Sequence, residues 1–248
     1  EIQNLEHLGL EVLERAIAAR PTDGELLLFA SNAQIASGYW DEADRLLQLA
    51  RPVTASGKWL FNAARHASQR HQHQQALQLF QTLVQSEPLN LQAHDNIITL
   101  LGDLYGEERA IDHARQLCSR FPDNLRCHEQ LIELLFEHRP HEAEKALLGL
   151  LHHHPNHSYA HRQLADLLLQ DDRYDEAAAE LEQARKLEPS AVGLHNISGD
   201  LHARRAERAG AIACYRETIR LNADNSYAIS QLMRQCHSSA EKKQQLDY

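Results

Sequence analysis

Helix breakers are scarce in this chain, with 10 glycines and 7 prolines among 248 residues, and aromatic side chains contribute 6%. Little therefore interrupts a backbone rich in Ala, Leu, Glu, Gln and Arg, residues that lose little on entering a helix. The four cysteines, Cys118, Cys127, Cys214 and Cys236, form no CxxC pair. That excludes the usual zinc-knuckle spacing and argues for reduced, mostly buried thiols rather than a disulfide framework. Basic charge is short as well. The formal net charge is −10, and no Lys/Arg block exceeds Arg204-Arg205 or Lys242-Lys243. A general nucleic-acid binder needs a basic face, so that class is set aside. Apolar runs of the roughly 20 residues that cross a bilayer are missing, and no signal-peptide pattern opens the sequence. Neither GxSxG, nor a phosphate-cradling glycine loop, nor HExxH, nor a nucleophilic cysteine signature occurs, so no catalytic residue is assigned and the reading is of a non-enzyme. No cofactor or metal is called for. The expected compartment is the cytoplasm, with the periplasm left open.

What the chain does contain is a repeat. A small residue is followed after four positions by a large one, after three more by Ala or Leu, and after five more by Pro. The clearest copy is Ala177, Leu181, Ala184, Pro189. Ala76, Phe80, Leu83, Pro88 and Ala110, Ala114, Leu117, Pro122 repeat it, as do Ala143, Leu147, Leu150, Pro155. Ala211, Tyr215, Thr218 lacks the proline, Ala43, Leu47, Ala50 has its proline early at Pro52, and Gly9, Leu13, Ala16, Pro21 extends the series backwards. Successive anchors lie 33 or 34 residues apart. Spacings of four and three put the stripe on one helical face, and proline then ends that helix. Ahead of each stripe lies a first helix, clearest at Ser158 to Gln170, with Leu164, Ala165, Leu167 and Leu168 as its buried face. Turns such as Gly38-Tyr39-Trp40 and Asp171-Asp172-Arg173-Tyr174 join the two. Pairs of this kind bury their faces by stacking on their neighbours.

This pattern resembles the tetratricopeptide repeat over about residues 1 to 238. The resemblance implies an all-α fold, a right-handed superhelical solenoid of antiparallel helix pairs. Its expected divisions are an unpaired second helix at 1–22, repeats at 23–56, 57–90, 91–123, 124–157, 158–191 and 192–225, and a partial repeat or capping helix at 226–248. Ser31, Ala64, Ala165 and Gly199 fill the family's small eighth position, whereas Ile98, Leu131 and Met233 are bulkier. The early Trp is replaced by Leu27, Leu60, His94, Cys127, His161, His195 and Ile229, and the three histidines are expected between helices. The unpaired first helix leads to the expectation of a fragment of a longer protein. Leu5, Leu8 and Val12 on it are candidates for self-association, and the polar stretch from Ser239, with Lys242, Lys243, Gln244 and Gln245, is a candidate cap.

The same resemblance implies a partner-binding wall made by the first helices. Its positions hold Lys58, Asn62, Arg65 and Gln69, then Gln92, Asp95, Asn96, Thr99 and Asp103. Further on they hold His128, Glu129, Tyr159, Arg162, Gln163, Asp166 and Gln170, then Asn196, Asp200, Arg204, Tyr227, Gln231 and Arg234. Amides can donate and accept at once, which suits the backbone of an extended peptide. The favoured contacts are Asn62, Arg65, Asn96, Arg162, Gln163, Asn196 and Arg234, and the favoured function is a scaffold holding a protein or peptide. Asn62 and Asn96 share a position in adjacent repeats, similar to the asparagine ladder of protein O-glycosyltransferases. A carboxylate clamp is not expected, because Leu28 and Gln92 stand where its lysines should be. The alternative function is a substrate-recruiting or spacer region of a larger, glycosyltransferase-like or peptidase-like enzyme.

Seventeen histidines remain, densest at His152-His153-His154-Pro155-Asn156-His157, with His71 and His73 as a second group. The dense run falls at a second-helix end, where cations complement the helix dipole, and is read as structural. Protonating all seventeen would take the formal charge from −10 to +7, so binding or solubility is expected to change between about pH 7 and pH 5.

Overall fold

The structure, a computed structural model, describes residues 2–236, 238 and 241, with side chains from residue 8 onward. Leu5, His237, Lys242, Lys243, Gln244 and Gln245 lie outside the described side chains. Among the described residues there are fourteen α-helices and no strand. None of these helices is long and apolar enough to cross a membrane. The chain divides into two compact units, Glu1–Asp123 and Asn124–Tyr248.

Unit 1 contains α1 (Ile2–Ala19), α2 (Gly24–Ala36), α3 (Trp40–Ala50), a 3-10 turn at Arg51–Val53, α4 (Ser56–Gln69), α5 (His73–Ser86), α6 (Leu91–Tyr105) and α7 (Glu107–Arg120). Unit 2 contains α8 (Leu125–His138), α9 (Pro140–His153), α10 (Ser158–Gln170), α11 (Tyr174–Leu187), α12 (Val192–Arg204), α13 (Arg208–Leu221) and α14 (Ser226–Arg234). Trp40 and Tyr174, expected in turns, are the first residues of α3 and α11. Within each unit, first and second helices pack as pairs, and each second helix also packs on the next first helix.

The stripes behave as the spacing requires. All three residues of the Ala43, Ala76, Ala143, Ala177 and Ala211 stripes are buried, and so are Ala110, Ala114 and Leu117. Phe80 of unit 1 and Tyr215 of unit 2, equivalent large residues, are both fully enclosed. The α1 stripe differs. Gly9 is exposed and Leu13 and Ala16 are only half-buried, α1 lying mainly on α2 among the described residues. Leu13 and Ile17 close the cluster of Leu27, Leu28, Leu46 and Leu47, while Leu8 and Val12 stay exposed.

The two kinds of helix start differently. Five first helices receive side-chain caps: Asp23, Asn90, Asn124 and Asn225 accept from backbone N–H groups of α2, α6, α8 and α14, and the His157 ring does the same for α10, whereas α4 and α12 start without one. Second helices have no such cap. Four of them, α3, α5, α11 and α13, follow a tight turn in which one residue takes a left-handed backbone. Gly38, His71, Asp172 and Ala206 occupy that place, with φ of 80°, 59°, 59° and 60°. At each, the N–H of the next residue bonds to a carbonyl five residues back, closing the preceding helix as a Schellman motif. Four turns share one geometry, and only one of them uses glycine.

The histidines that replace the early Trp also share a contact. His94, His161 and His195 place Nε2 3.0, 2.8 and 2.9 Å from the carbonyl oxygens of Pro88, Pro155 and Pro189. Each Nε2–H donates to an oxygen released where proline ended the preceding helix. His94 and His161 are buried between helices, and His195 is more open. Their other ring nitrogens differ: His94 Nδ1 meets His113 Nε2 at 3.0 Å, and His161 Nδ1 meets Glu180 at 2.6 Å.

Candidate functional site

In unit 1 the wall made by α2, α4 and α6 is largely self-bonded. Asn62 Oδ1 accepts from Asn32 Nδ2 at 2.8 Å, and Asn62 Nδ2 donates to the Lys58 carbonyl at 2.8 Å. Asn96 Nδ2 donates to the Gln92 carbonyl at 2.7 Å. Asn62 and Asn96 therefore each spend a donor on their own helix, and Asn32 and Asn62 bridge neighbouring repeats. Lys58 pairs with Glu25. Leu28 is sunk in the core, and Arg65 is exposed.

Unit 2 has the same helix arrangement with different chemistry. Arg162 Nη1 donates to Ser158 Oγ at 2.7 Å and to Glu188 at 2.6 Å, and its side chain is mostly covered. That bond holds the Glu188 carboxyl below the usual range. The arginine thus ties α10 to the end of α11. Gln163 and Asn196 are half-buried, and Asn196 Oδ1 is enclosed with no hydrogen-bond partner.

Arg234, among the favoured contacts, lines a cavity. This cavity of about 330 Å³ is lined on α10 by Asp166, Leu169 and Gln170, and on α12 by Asp200, Ala203 and Arg204. Tyr215 from α13 and Tyr227, Gln231 and Arg234 from α14 complete it. Adjacent first helices place Asp166 and Asp200 at the same position of successive repeats, so the stacking brings the two carboxylates to one space. Tyr215 Oη donates to Asp200 Oδ1 at 2.7 Å, and Tyr227 Oη lies 2.8 Å from both Asp200 oxygens.

Gly199 explains how Tyr215 reaches this far. A Cβ on Gly199 would come within 2.5 Å of the Tyr215 ring, so the small residue admits the phenol against α12 and aims its hydroxyl at Asp200. Burial raises the Asp166 carboxyl above its ordinary range, and the neighbouring Asp200 charge adds to that shift while Gln170 opposes it. Burial also raises Asp200, against the two tyrosine bonds and the Arg204 charge. Both phenols are pushed up, first by burial and then by their bonds to Asp200. Arg204 faces Asp172 at 3.7 Å.

Asp166, Asp200 and Tyr227 stand among the wall positions that the family resemblance implies but not among the favoured contacts. Tyr215 reads as a core residue. The signal that could have found them was the shared ninth position of Asp166 and Asp200, beside the glycine at 199.

The histidine run at 152–157 borders an open hollow of about 310 Å³ with Leu125. Within it His157 caps α10 and its Nε2 lies 3.3 Å from Glu129. The three potential ligands that the fold does gather are His141, Glu144 and Asp171, whose ligand atoms lie within 4.8 Å of one another. They could hold a cation only in competition with Arg173, which bonds Glu144 at 2.6 Å.

A tetratricopeptide-repeat model matches residues 128–192 and 162–226, all in unit 2. No curated protein matches the sequence. Among solved structures, a tetratricopeptide repeat protein from Parabacteroides merdae superposes with a TM-score of 0.62 at 18% identity, covering 91% of this chain and 90% of that one. The C-terminal part of a TPR repeat-containing protein from Cytophaga hutchinsonii gives 0.58 at 14% identity, over 93% and 95%. The APC/C hetero-tetramer Cut9-Hcn1 gives 0.54 at 14% identity, over 94% of this chain and 46% of that one. The helical-repeat fold is common to all three.

Proposed function

Taking as premise that this chain is a tetratricopeptide-repeat protein, we propose that it holds a partner protein by an extended segment laid across α10, α12 and α14. The fold is one that serves generally as a protein-interaction scaffold. The observation that carries the finer reading is the cavity lined by Asp166, Asp200, Tyr227 and Arg234. Three successive first helices offer it polar groups, whereas the unit 1 amides are partly spent on each other. A structural neighbour, in the hetero-tetramer Cut9-Hcn1, is seen assembled with another protein, which fits the same class of role.

The test is affinity capture from native lysate with three forms of the chain. One is wild type, one carries Asp166→Asn, Tyr227→Ala and Arg234→Glu, and one carries Asn62→Ala and Asn96→Ala. The expected result is a partner retained by the wild type and the unit 1 variant and lost by the unit 2 variant, all three being equally helical. Equal recovery on all forms would move the binding surface elsewhere and end this reading.

A further inference from the structure

Resting on that reading, we infer that the unit 2 cavity is a socket for one basic side chain, a lysine or arginine carried by the partner's extended segment. The size fits a single side chain. At about 330 Å³ the cavity lies at the low end of the roughly 300–1,000 Å³ of small-ligand pockets. Its lining divides into an apolar part and an anionic part. Leu169 and Ala203 offer surface for the methylene stem that lysine and arginine both carry. The exposed Tyr227 ring offers a π surface, which attracts a cation more strongly once it is shielded from water.

Among the described residues no cation bridges the two carboxylates, although the Arg204 charge acts on Asp200. Asp166 forms no ion pair with any described residue, and the cations nearest in the lining are otherwise placed: Arg204 faces Asp172, and Arg234 is exposed. Asp200 is held by two phenol hydroxyls, which orient its charge without neutralising it. Two half-buried carboxylates that share one cavity repel each other. A guanidinium or ammonium between them would satisfy the open lone pairs of Asp166 and relieve that repulsion. A carboxylate or a neutral side chain gains neither, so the socket discriminates by charge. Arg204 and Arg234 in the same lining would then take backbone carbonyls or an acidic neighbour of the basic residue.

The experiment uses the whole chain and a library of capped nonapeptides whose central residue is fixed as Lys, Arg, norleucine or Glu, the other positions being mixed. Binding is compared for wild type, Asp166→Asn, Asp200→Asn and Asn62→Ala, in EDTA, after circular dichroism and melting show each to be folded. Asp166→Asn removes a repulsion and keeps the shape, so its fold is expected intact. The expected result is at least a tenfold preference for Lys and Arg over norleucine with the wild type and Asn62→Ala. That preference should fall to less than twofold in Asp166→Asn. Peptide binding with no preference for Lys or Arg, or a preference untouched by Asp166→Asn, would overturn the socket while leaving the wall as a peptide surface. A preference that appears only when calcium or magnesium is added would also overturn it, because the carboxylates would then be holding a metal. If no library binds, the socket and the peptide-wall reading fail together.

Discussion

The wall amides of unit 1 bond to one another and to their own helices, whereas the equivalent helices of unit 2 collect two carboxylates that no described cation bridges. The backbone plan is the same in both. What differs is whether each polar group finds its partner within the wall. A self-satisfied wall gains little from a ligand, because new hydrogen bonds only replace old ones. A wall with unmet charge has more to gain.

A second contrast between the units lies behind the walls. His94 meets another imidazole, His113, while His161 meets Glu180 at the equivalent place. Burial, followed by the His94 charge, lowers His113 to about 4, and burial lowers His94 as well. One ring must accept while the other donates, so this pair holds only while at least one ring is neutral. Glu180 offers only acceptor oxygens, and a ring that already donates to the Pro155 carbonyl through Nε2 has a second N–H for Glu180 only when both of its nitrogens carry a proton.

Truncating the equivalent large stripe residues should have the largest effect. Phe80→Ala in unit 1 and Tyr215→Ala in unit 2 are each expected to cost about 3–5 kcal/mol in denaturant unfolding, because both side chains are fully enclosed. Only the second should abolish binding by the unit 2 wall, since only Tyr215 orients a cavity carboxylate. If Phe80→Ala abolishes it equally, the contrast between the walls is wrong.

Gly199→Ala comes next. Its Cβ would meet a ring that cannot move, so a cost of about 1–3 kcal/mol is expected, with a displaced Tyr215. Tyr215→Leu in the same background should recover much of that stability without restoring the bond to Asp200.

The histidine contrast makes a pH prediction. The folded state keeps His113 neutral and the unfolded chain does not, so the unfolded chain binds more protons between about pH 6.5 and 4. The stabilisation is complete above about 6.5 and is lost as pH falls toward 4. The groups bearing on the pair are each other, the Pro88 carbonyl, Arg120 and Asp95. Hydrogen exchange in α6 and α7 should accelerate over that interval, and His113→Glu should flatten the response. Glu180→His should import the sensitivity into α10 and α11; an unchanged profile there would show that burial alone, not the partner, sets the behaviour.

The smallest effect is expected at the turns. Ala206 holds a left-handed backbone that glycine adopts without strain, so Ala206→Gly should raise stability by about 1 kcal/mol, and Gly38→Ala should lower it by a similar amount. Thermal melts of the two variants would decide this.

The periodic part of the fold was legible because it follows from local arithmetic. Ala177, Leu181 and Ala184 share a face whatever surrounds them, and Pro189 cannot continue a helix. Hence the stripes and the first helix at 158–170 are readable from spacing, while the placing of His94 and His161 between helices followed from the family resemblance. The site was much less so. Arg162 looks like a free wall cation until Glu188, twenty-six residues away, is seen bonded to it. Asn62 looks like an open amide until Asn32 meets it from the previous repeat.

The order of residues alone determined that helices would form, where they would stop and which face each would bury, since those depend on neighbours within one or two turns. Helix packing decided which groups meet, across repeats and within them: it placed Asp166 beside Asp200, let Gly199 admit Tyr215, and gave His94 an imidazole where His161 has a carboxylate. Those pairings join residues 16 to 34 positions apart, and charge and hydrogen-bond balance is a property of such pairs rather than of any residue by itself.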